Sequence, residues 1–183
     1  MALFIALPLP GSIRSLLKAI KLDVAGARLE HPDDLHITLQ HSIPSQGATT
    51  ARLIAALNAI KAEPFTLEPA GLRFFANRET GAPFIIYLAI KPNDQLTALR
   101  QAVATECAKL GFPPNSGQYT PHVTLCRLSE DAERSAVNDA CNTPLAEIPS
   151  WPANSFGVYE ATKKSTPGSA PRYTTAAEFQ MTP

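Results

Sequence analysis

The sequence predicts an α+β fold: two pseudo-symmetric lobes whose antiparallel-dominated sheets form a central concave cleft, with helices outside. Three observations lead there. The block Leu35-His36-Ile37-Thr38-Leu39 is echoed by Pro121-His122-Val123-Thr124-Leu125, and the two histidines are 86 residues apart (122 − 36). Each block is preceded by a strand-like and a helix-like segment and is followed by a further helical pattern. At 45% apolar and 17% charged residues, the 183-residue chain has the composition of a globular domain. A chain of this length can bury roughly 70% of its unfolded surface.

The elements follow from periodicity and punctuation. Residues 2–7 are an apolar first strand. Gly11-Ser12 opens a helix to about Lys21, with Ile13, Leu16, Leu17 and Ile20 at helical spacing. Residues 24–30 show no clear period and are unassigned. His31 to Asp34 form a turn into the first His-x-Thr strand, about 35–41, and 42–47 form a loop. A second helix spans about 50–62, capped by Thr49 or Thr50, with a Leu53, Ile54, Leu57, Ile60 stripe. Residues 65–75 read as a strand bent at Pro69–Gly71, 77–83 as a turn, and 84–90 as a buried strand. Asn93 or Asp94 caps a third helix that Gly111 closes near Leu110. After a loop at 115–119 comes the second His-x-Thr strand, about 120–127. Ser129 begins a fourth helix, with Glu130, Asp131 and Glu133 in its first turn. Strands near 145–149, 154–162 and 171–181 complete the chain, the last two joined by a hairpin loop at 163–170. The expected organisation is a single two-lobed domain over 1–183.

Composition removes several function classes. Sixteen basic residues balance sixteen acidic ones, so the chain does not suit coating long nucleic acid through phosphate neutralisation. Cys107, Cys126 and Cys141 have no close spacing, which argues against a disulfide scaffold or a thiolate metal site. The apolar start lacks a basic flank and breaks at Pro8 and Pro10, making it a poor signal peptide and too short for a membrane span. A cytoplasmic location is expected.

In a strand, side chains alternate faces, so each histidine shares a face with its own threonine while Ile37/Leu39 and Val123/Leu125 point into a core. Two such ledges facing one another gather two imidazoles and two hydroxyls. Opening a cyclic phosphodiester needs a base for water and an acid for the departing ribose oxygen. Histidine serves either role near neutrality, and threonine hydroxyls can hold the non-bridging oxygens. No metal is required, and no cofactor is expected. His41 lies five residues after His36, so strict alternation puts it on the opposite face. His31, His36 and His41 share no face that could hold a metal.

These residues resemble the two-histidine phosphoesterase superfamily, and within it the RNA 2′,3′-cyclic phosphodiesterase family, also called 2′-5′ RNA ligase. The likeness runs over nearly the whole chain. It includes the Phe4-Ile5-Ala6-Leu7 start, Asp34 to Leu39, Pro64 to Leu67 with Gly71 and Phe74-Phe75, Tyr119 to Arg127, and Val158-Tyr159-Glu160 with Arg172-Tyr173. The resemblance implies metal-independent hydrolysis of 2′,3′-cyclic phosphodiesters, at RNA 3′ ends or in small cyclic nucleotides, to 2′-phosphomonoesters. It implies His36 as proton donor to the 3′-oxygen, His122 as the acceptor that activates water, and Thr38 and Thr124 as phosphate ligands. Arg127 matches an arginine the family often carries, but strict alternation points it away from His122, so it needs a strand end or a bulge there to share that face. The segment Gln40-His41-Ser42-Ile43-Pro44 departs from the family's usual aromatic-Leu-Gly and leaves substrate preference open.

Phe74, Phe75 and Tyr119 are candidates to stack a base, Phe74 and Tyr119 foremost. Arg73, Arg78, Lys163, Lys164 and Arg172 are candidates for RNA phosphates or a solvated face. Cys126 shares the His122 face on strict alternation, but without an orienting group it reads as packing. Alternatives are 2′-5′ RNA ligation at the same site, or a non-catalytic RNA- or nucleotide-binding module. The chain is expected to act as a monomer with no membrane partner.

Overall fold

The computed structural model describes residues 2–114, 117–144, 146–161 and 172–183. Its strands are β1 (Ala2–Pro8), β2 (Arg28–Leu29), β3 (His36–Pro44), β4 (Phe65–Leu67), β5 (Pro69–Ala76), β6 (Pro83–Ile90), β7 (His122–Arg127), β8 (Trp151–Ala153), β9 (Ser155–Ala161) and β10 (Tyr173–Gln180). The helices are α1 (Gly11–Lys18), α2 (Thr49–Leu57), α3 (Asp94–Lys109) and α4 (Arg134–Asn142). Every strand pairing is antiparallel, in the order β10-β9-β1-β3-β7-β6-β5, with β2 on β7 and a separate β4-β8 pair.

The expected two sheets are therefore joined into one. Four strands from β10 to β3 form one half, and β7, β6 and β5 with β2 form the other. Their junction is slight: the β3–β7 register consists of Ile37 opposite Val123. Both residues are fully buried. The seam of the molecule thus runs through the middle residues of the two His-x-Thr motifs. In antiparallel order, that pairing sets His36 across from Thr124 and Thr38 across from His122.

The alternating apolar residues of these strands, Ile37, Leu39, Val123 and Leu125, enter one large core with Leu3, Ile5, Leu7, Leu53, Leu57 and Phe156. On α3, Leu96, Leu99, Val103 and Cys107 recur at helical spacing and are buried. Asn93 caps that helix, accepting from the Leu96 N–H at 3.0 Å. A smaller cluster of Val24, Ile86, Cys126, Leu128, Ala132 and Val137 backs the β7 end. Gly71, at φ 82°, makes the bend expected at 69–71, where the β5–β6 register shifts.

Several boundaries differ from expectation. α4 begins at Arg134 rather than Ser129, because Ala132 N–H bonds back to the Ser129 carbonyl in a turn. The three acidic residues thus precede the helix instead of forming its first turn. The strand expected at 145–149 is displaced to β8, where Trp151 and Ala153 bury against β4. α1 and α2 end earlier than expected, at Lys18 and Leu57. β3 runs on through Ser42–Pro44, which pairs with the start of β1, in place of a loop. The unassigned 24–30 stretch supplies β2. The hairpin loop at 163–170 lies outside the described residues. Among the described residues, no helix is long and apolar enough to cross a membrane.

Candidate active site

Both His-x-Thr ledges open on one cleft of about 640 Å³, whose lining includes His36, Thr38, His122 and Thr124. The two imidazoles are held in the same way. His36 Nδ1 lies 2.6 Å from the Asp34 carbonyl and His122 Nδ1 lies 2.7 Å from the Thr120 carbonyl, each two residues upstream. A carbonyl only accepts, so each Nδ1 carries a proton. Nε2 is left as the nitrogen whose protonation can change, and His36 Nε2 sits 3.0 Å from the Thr38 hydroxyl. Aromatic rings hold both imidazoles in place. His36 packs against Phe4 and Tyr173 at centroid distances of 4.8 and 5.5 Å, and His122 against Phe75 and Tyr87 at 5.0 and 5.1 Å.

Burial disfavours charge on both rings. It lowers His36 to about 4, assisted by the nearby His122 and Arg127, against the opposing pull of the Asp34 carbonyl. Burial likewise lowers His122, opposed by the Thr120 carbonyl. Burial alone leaves both rings neutral near pH 7, and an anion beside them would favour the protonated form.

Strict alternation fails on both motif strands, and it fails at equivalent places. On β7 the register passes from Thr124 opposite Tyr87 to Cys126 opposite Ile86, leaving Leu125 as an extra residue. On β3 it passes from Thr38 opposite Ala6 to Gln40 opposite Ile5, leaving Leu39 extra. Each bulge buries two successive residues and returns the next to the cleft face. Arg127 therefore joins His122 and Thr124, as its candidacy required. His41 joins His36 and Thr38, contrary to the opposite-face expectation. Cys126 is turned into the smaller core instead of sharing the His122 face, and burial raises its thiol to about 11. That leaves packing as its role.

Beside the histidines stands a charged network. Glu30, 7% exposed, accepts from Arg127 Nε at 2.9 Å and pairs with the Arg172 guanidinium through its other oxygen. Arg172 also reaches Asp34: its backbone N–H lies 2.9 and 3.1 Å from the two carboxylate oxygens, and its Nε lies 3.3 Å from one of them. The Asp34 carbonyl is the one that orients His36. A continuous chain Arg127–Glu30–Arg172–Asp34–His36 thus lines one wall. Glu30 was not singled out from the sequence, because it sits in the 24–30 stretch without a period. The only signal was an acidic residue between the apolar Leu29 and the turn before His36. Arg172 is part of this wall rather than of a solvated face.

The aromatic candidates separate. Phe75 lines the cleft and touches His122, whereas Phe74 faces a different hollow beside Tyr87, Asn138 and Cys141, with the Arg134 guanidinium 5.4 Å over its ring. Phe74 is thus corrected from a base contact to a packing residue. Its neighbour holds the site because the two alternate faces on β5. Tyr119 donates its hydroxyl to the Thr38 carbonyl at 3.0 Å, and burial raises its pKa. Its ring lines a smaller cavity beside the cleft. Arg73 and Arg78 are exposed and outside both spaces, while Lys163 and Lys164 lie outside the described residues. His31 accepts from the Asp33 N–H, capping the 3-10 turn Pro32–Asp34. Among the described residues, no group of three or more His, Cys, Asp or Glu side chains is placed to hold a metal ion.

The sequence model of the 2′-5′ RNA ligase superfamily matches residues 9–164. An RNA 2′,3′-cyclic phosphodiesterase of Archaeoglobus fulgidus is 30% identical over 131 residues, covering 70% of this chain and 73% of that protein. One of Aquifex aeolicus is 28% identical over 169 residues, covering 90% and 86%. One of Geobacillus stearothermophilus is 28% identical over 184 residues; there the match takes in 97% of this chain but only 56% of the relative's length. In fold, the chain is similar to Escherichia coli LigT complexed with 3′-AMP, at a TM-score of 0.75 and 21% identity over 100% of this chain and 98% of that one.

Proposed function

The chain belongs to the 2′-5′ RNA ligase superfamily, and on that premise we propose that it hydrolyses 2′,3′-cyclic phosphodiesters at RNA 3′ ends, or in small cyclic nucleotides, to 2′-phosphomonoesters without a metal ion. One observation carries the reading: two imidazoles with the same backbone-fixed tautomer stand with two threonines on a single cleft. The names of the curated relatives support the choice of substrate class.

The cyclic phosphate sits between the histidines, which are diagonal neighbours across the β3–β7 seam; such neighbours are typically about 7–8 Å apart. His122 Nε2 takes a proton from water as the water oxygen bonds to phosphorus. The P–O3′ bond breaks on the opposite side, and His36 Nε2–H protonates the leaving 3′-oxygen. The products are a 2′-phosphate and a 3′-hydroxyl, and proton exchange with solvent resets the pair. The Thr38 and Thr124 hydroxyls hold the non-bridging oxygens. Arg127, with its Nε engaged by Glu30, directs its remaining N–H groups at the phosphate. Run backwards, the same steps join a 2′-phosphate end to a hydroxyl, so ligation is the reverse reaction at this site. Each ledge belongs to the same chain, which supports a monomeric enzyme, and the location proposed for it is cytoplasmic.

The test is hydrolysis of 2′,3′-cyclic nucleotides and of a short RNA with a cyclic-phosphate end, with EDTA present, followed by identification of the product isomer. A 2′-phosphate is expected in undiminished yield. A 3′-phosphate, or turnover abolished by EDTA, overturns the mechanism.

A further inference from the structure

A second cavity of about 230 Å³ opens off the cleft; Thr38, His41, Phe75 and His122 line both spaces. The two therefore meet where the phosphate is held. Ligand pockets commonly measure about 300–1,000 Å³, so the cleft suits a ligand by itself and the smaller space suits an extension of one. Its cation is Arg100, on α3. That guanidinium lies 4.4 Å over the Tyr119 ring, and its Nε is buried with no hydrogen-bond partner. A buried donor without an acceptor costs about 1–3 kcal/mol, a cost that an anionic oxygen of a ligand would relieve.

The charge on the two sides of the phosphate site differs. On the β2 side, Arg127 and Arg172 are matched by Glu30 and Asp34, leaving that wall neutral. On the α3 side, none of the described residues lining the cavity is acidic, so Arg100 is uncompensated there. A polyanion whose terminal phosphate sits between the histidines is drawn towards Arg100.

We propose that this side cavity is the subsite for the nucleotide on the 5′ side of the cyclic phosphate, with Arg100 as the cation for its phosphodiester. The substrate is then an RNA end rather than a free mononucleotide. This rests on the cyclic phosphodiesterase reading above. The Tyr119 ring stacks on and steadies the guanidinium, while the Tyr119 hydroxyl ties the cavity wall to the Thr38 backbone.

The deciding quantity is the ratio of kcat/KM for a dinucleotide ending in a 2′,3′-cyclic phosphate to that for the cyclic mononucleotide. The wild-type ratio is expected to exceed about 10, a difference typical of one charge-assisted contact. Arg100→Gln should bring it down about tenfold, mainly through KM of the dinucleotide, and Arg100→Lys should recover part of it. Thermal melting of each variant accompanies the kinetics. If both substrates lose rate in proportion, Arg100 is structural and the proposal fails. A wild-type ratio near 1 also overturns it. If the wild type turns over neither substrate, the enzyme reading fails. The subsite is then judged by binding of a dinucleotide ending in a 2′-phosphate against the 2′-mononucleotide, where equal affinity overturns it.

Discussion

The two His-x-Thr strands are built alike and surrounded differently. Each has its histidine's Nδ1 on the carbonyl two residues upstream, a buried pair (Leu39-Gln40 or Leu125-Cys126) turned inward at a bulge, and a basic side chain returned to the cleft five residues after the histidine. Beyond the strand the likeness ends. His36 adjoins the Glu30–Arg172–Asp34 wall and its own Thr38 hydroxyl, and its pKa falls to about 4. His122 packs at a steep angle against the stacked rings of Phe75 and Tyr87, at the opening to the side cavity. Local sequence sets the tautomer of each ring, and tertiary neighbours set its basicity. That separation favours the unprotonated form of His36 more than that of His122, so the donor role proposed for His36 needs the charge of the bound phosphate to hold its proton.

The strongest way to break this comparison is to remove one ring. His36→Ala and His122→Ala should each lower turnover by about 10²–10⁴ while the far-UV spectrum and melting temperature stay close to wild type. If either variant keeps near-wild-type rate, that histidine leaves the mechanism. Next come the hydroxyls. Thr38→Ala and Thr124→Ala should each cost at most roughly 2–4 kcal/mol of transition-state stabilisation. Thr38, whose hydroxyl also touches its own histidine, should shift the pH profile more than Thr124 does. Identical pH profiles for the two would show that the hydrogen bond to His36 has no bearing on proton transfer.

Much of this was legible in the sequence, because period-2 alternation and two repeated tetrads are local signals. The order of most strands and helices and the two ledges follow from them. What was not legible depends on partners. A bulge at Leu39 or Leu125 exists only against the registers of β1 and β6, so neither strand alone shows that His41 and Arg127 face the cleft. Their shared offset of five residues from a histidine was the available clue. Phe75 was mixed with Phe74 because the face each takes follows from pairing with β6. Glu30 escaped because a two-residue strand has no period to read.

Glu30 also sharpens the comparison, since its carboxylate joins the second motif's Arg127 to the first motif's wall. Glu30→Gln keeps the size but takes from Arg127 the anion on its Nε and leaves Arg172 its pairing with Asp34. The variant should lose about 2–3 kcal/mol in urea unfolding, below the 3–5 kcal/mol of a fully buried broken pair because Arg127 is half exposed. An unchanged midpoint would mean the network contributes nothing net to the fold.

The smallest effect tests the difference in basicity directly. The unfolded chain binds a proton at each histidine near pH 6.5, whereas folded His36 binds one only near pH 4. Between those values the unfolded state holds more protons, so stability falls as pH is lowered from 6.5 through 4, and above 6.5 this contribution to the pH dependence vanishes. The full shift corresponds to about 3 kcal/mol, and partial solvent access to the ring reduces the expected loss to about 1–2 kcal/mol. Urea unfolding of the wild type, His36→Gln and His122→Gln at pH 4.5 and 6.5 measures it. His36→Gln should flatten the acid-side slope more than His122→Gln does, because the His36 shift is the larger. Equal flattening would place the two rings in equivalent environments, and the division of labour between them would then have to arise from the bound substrate alone.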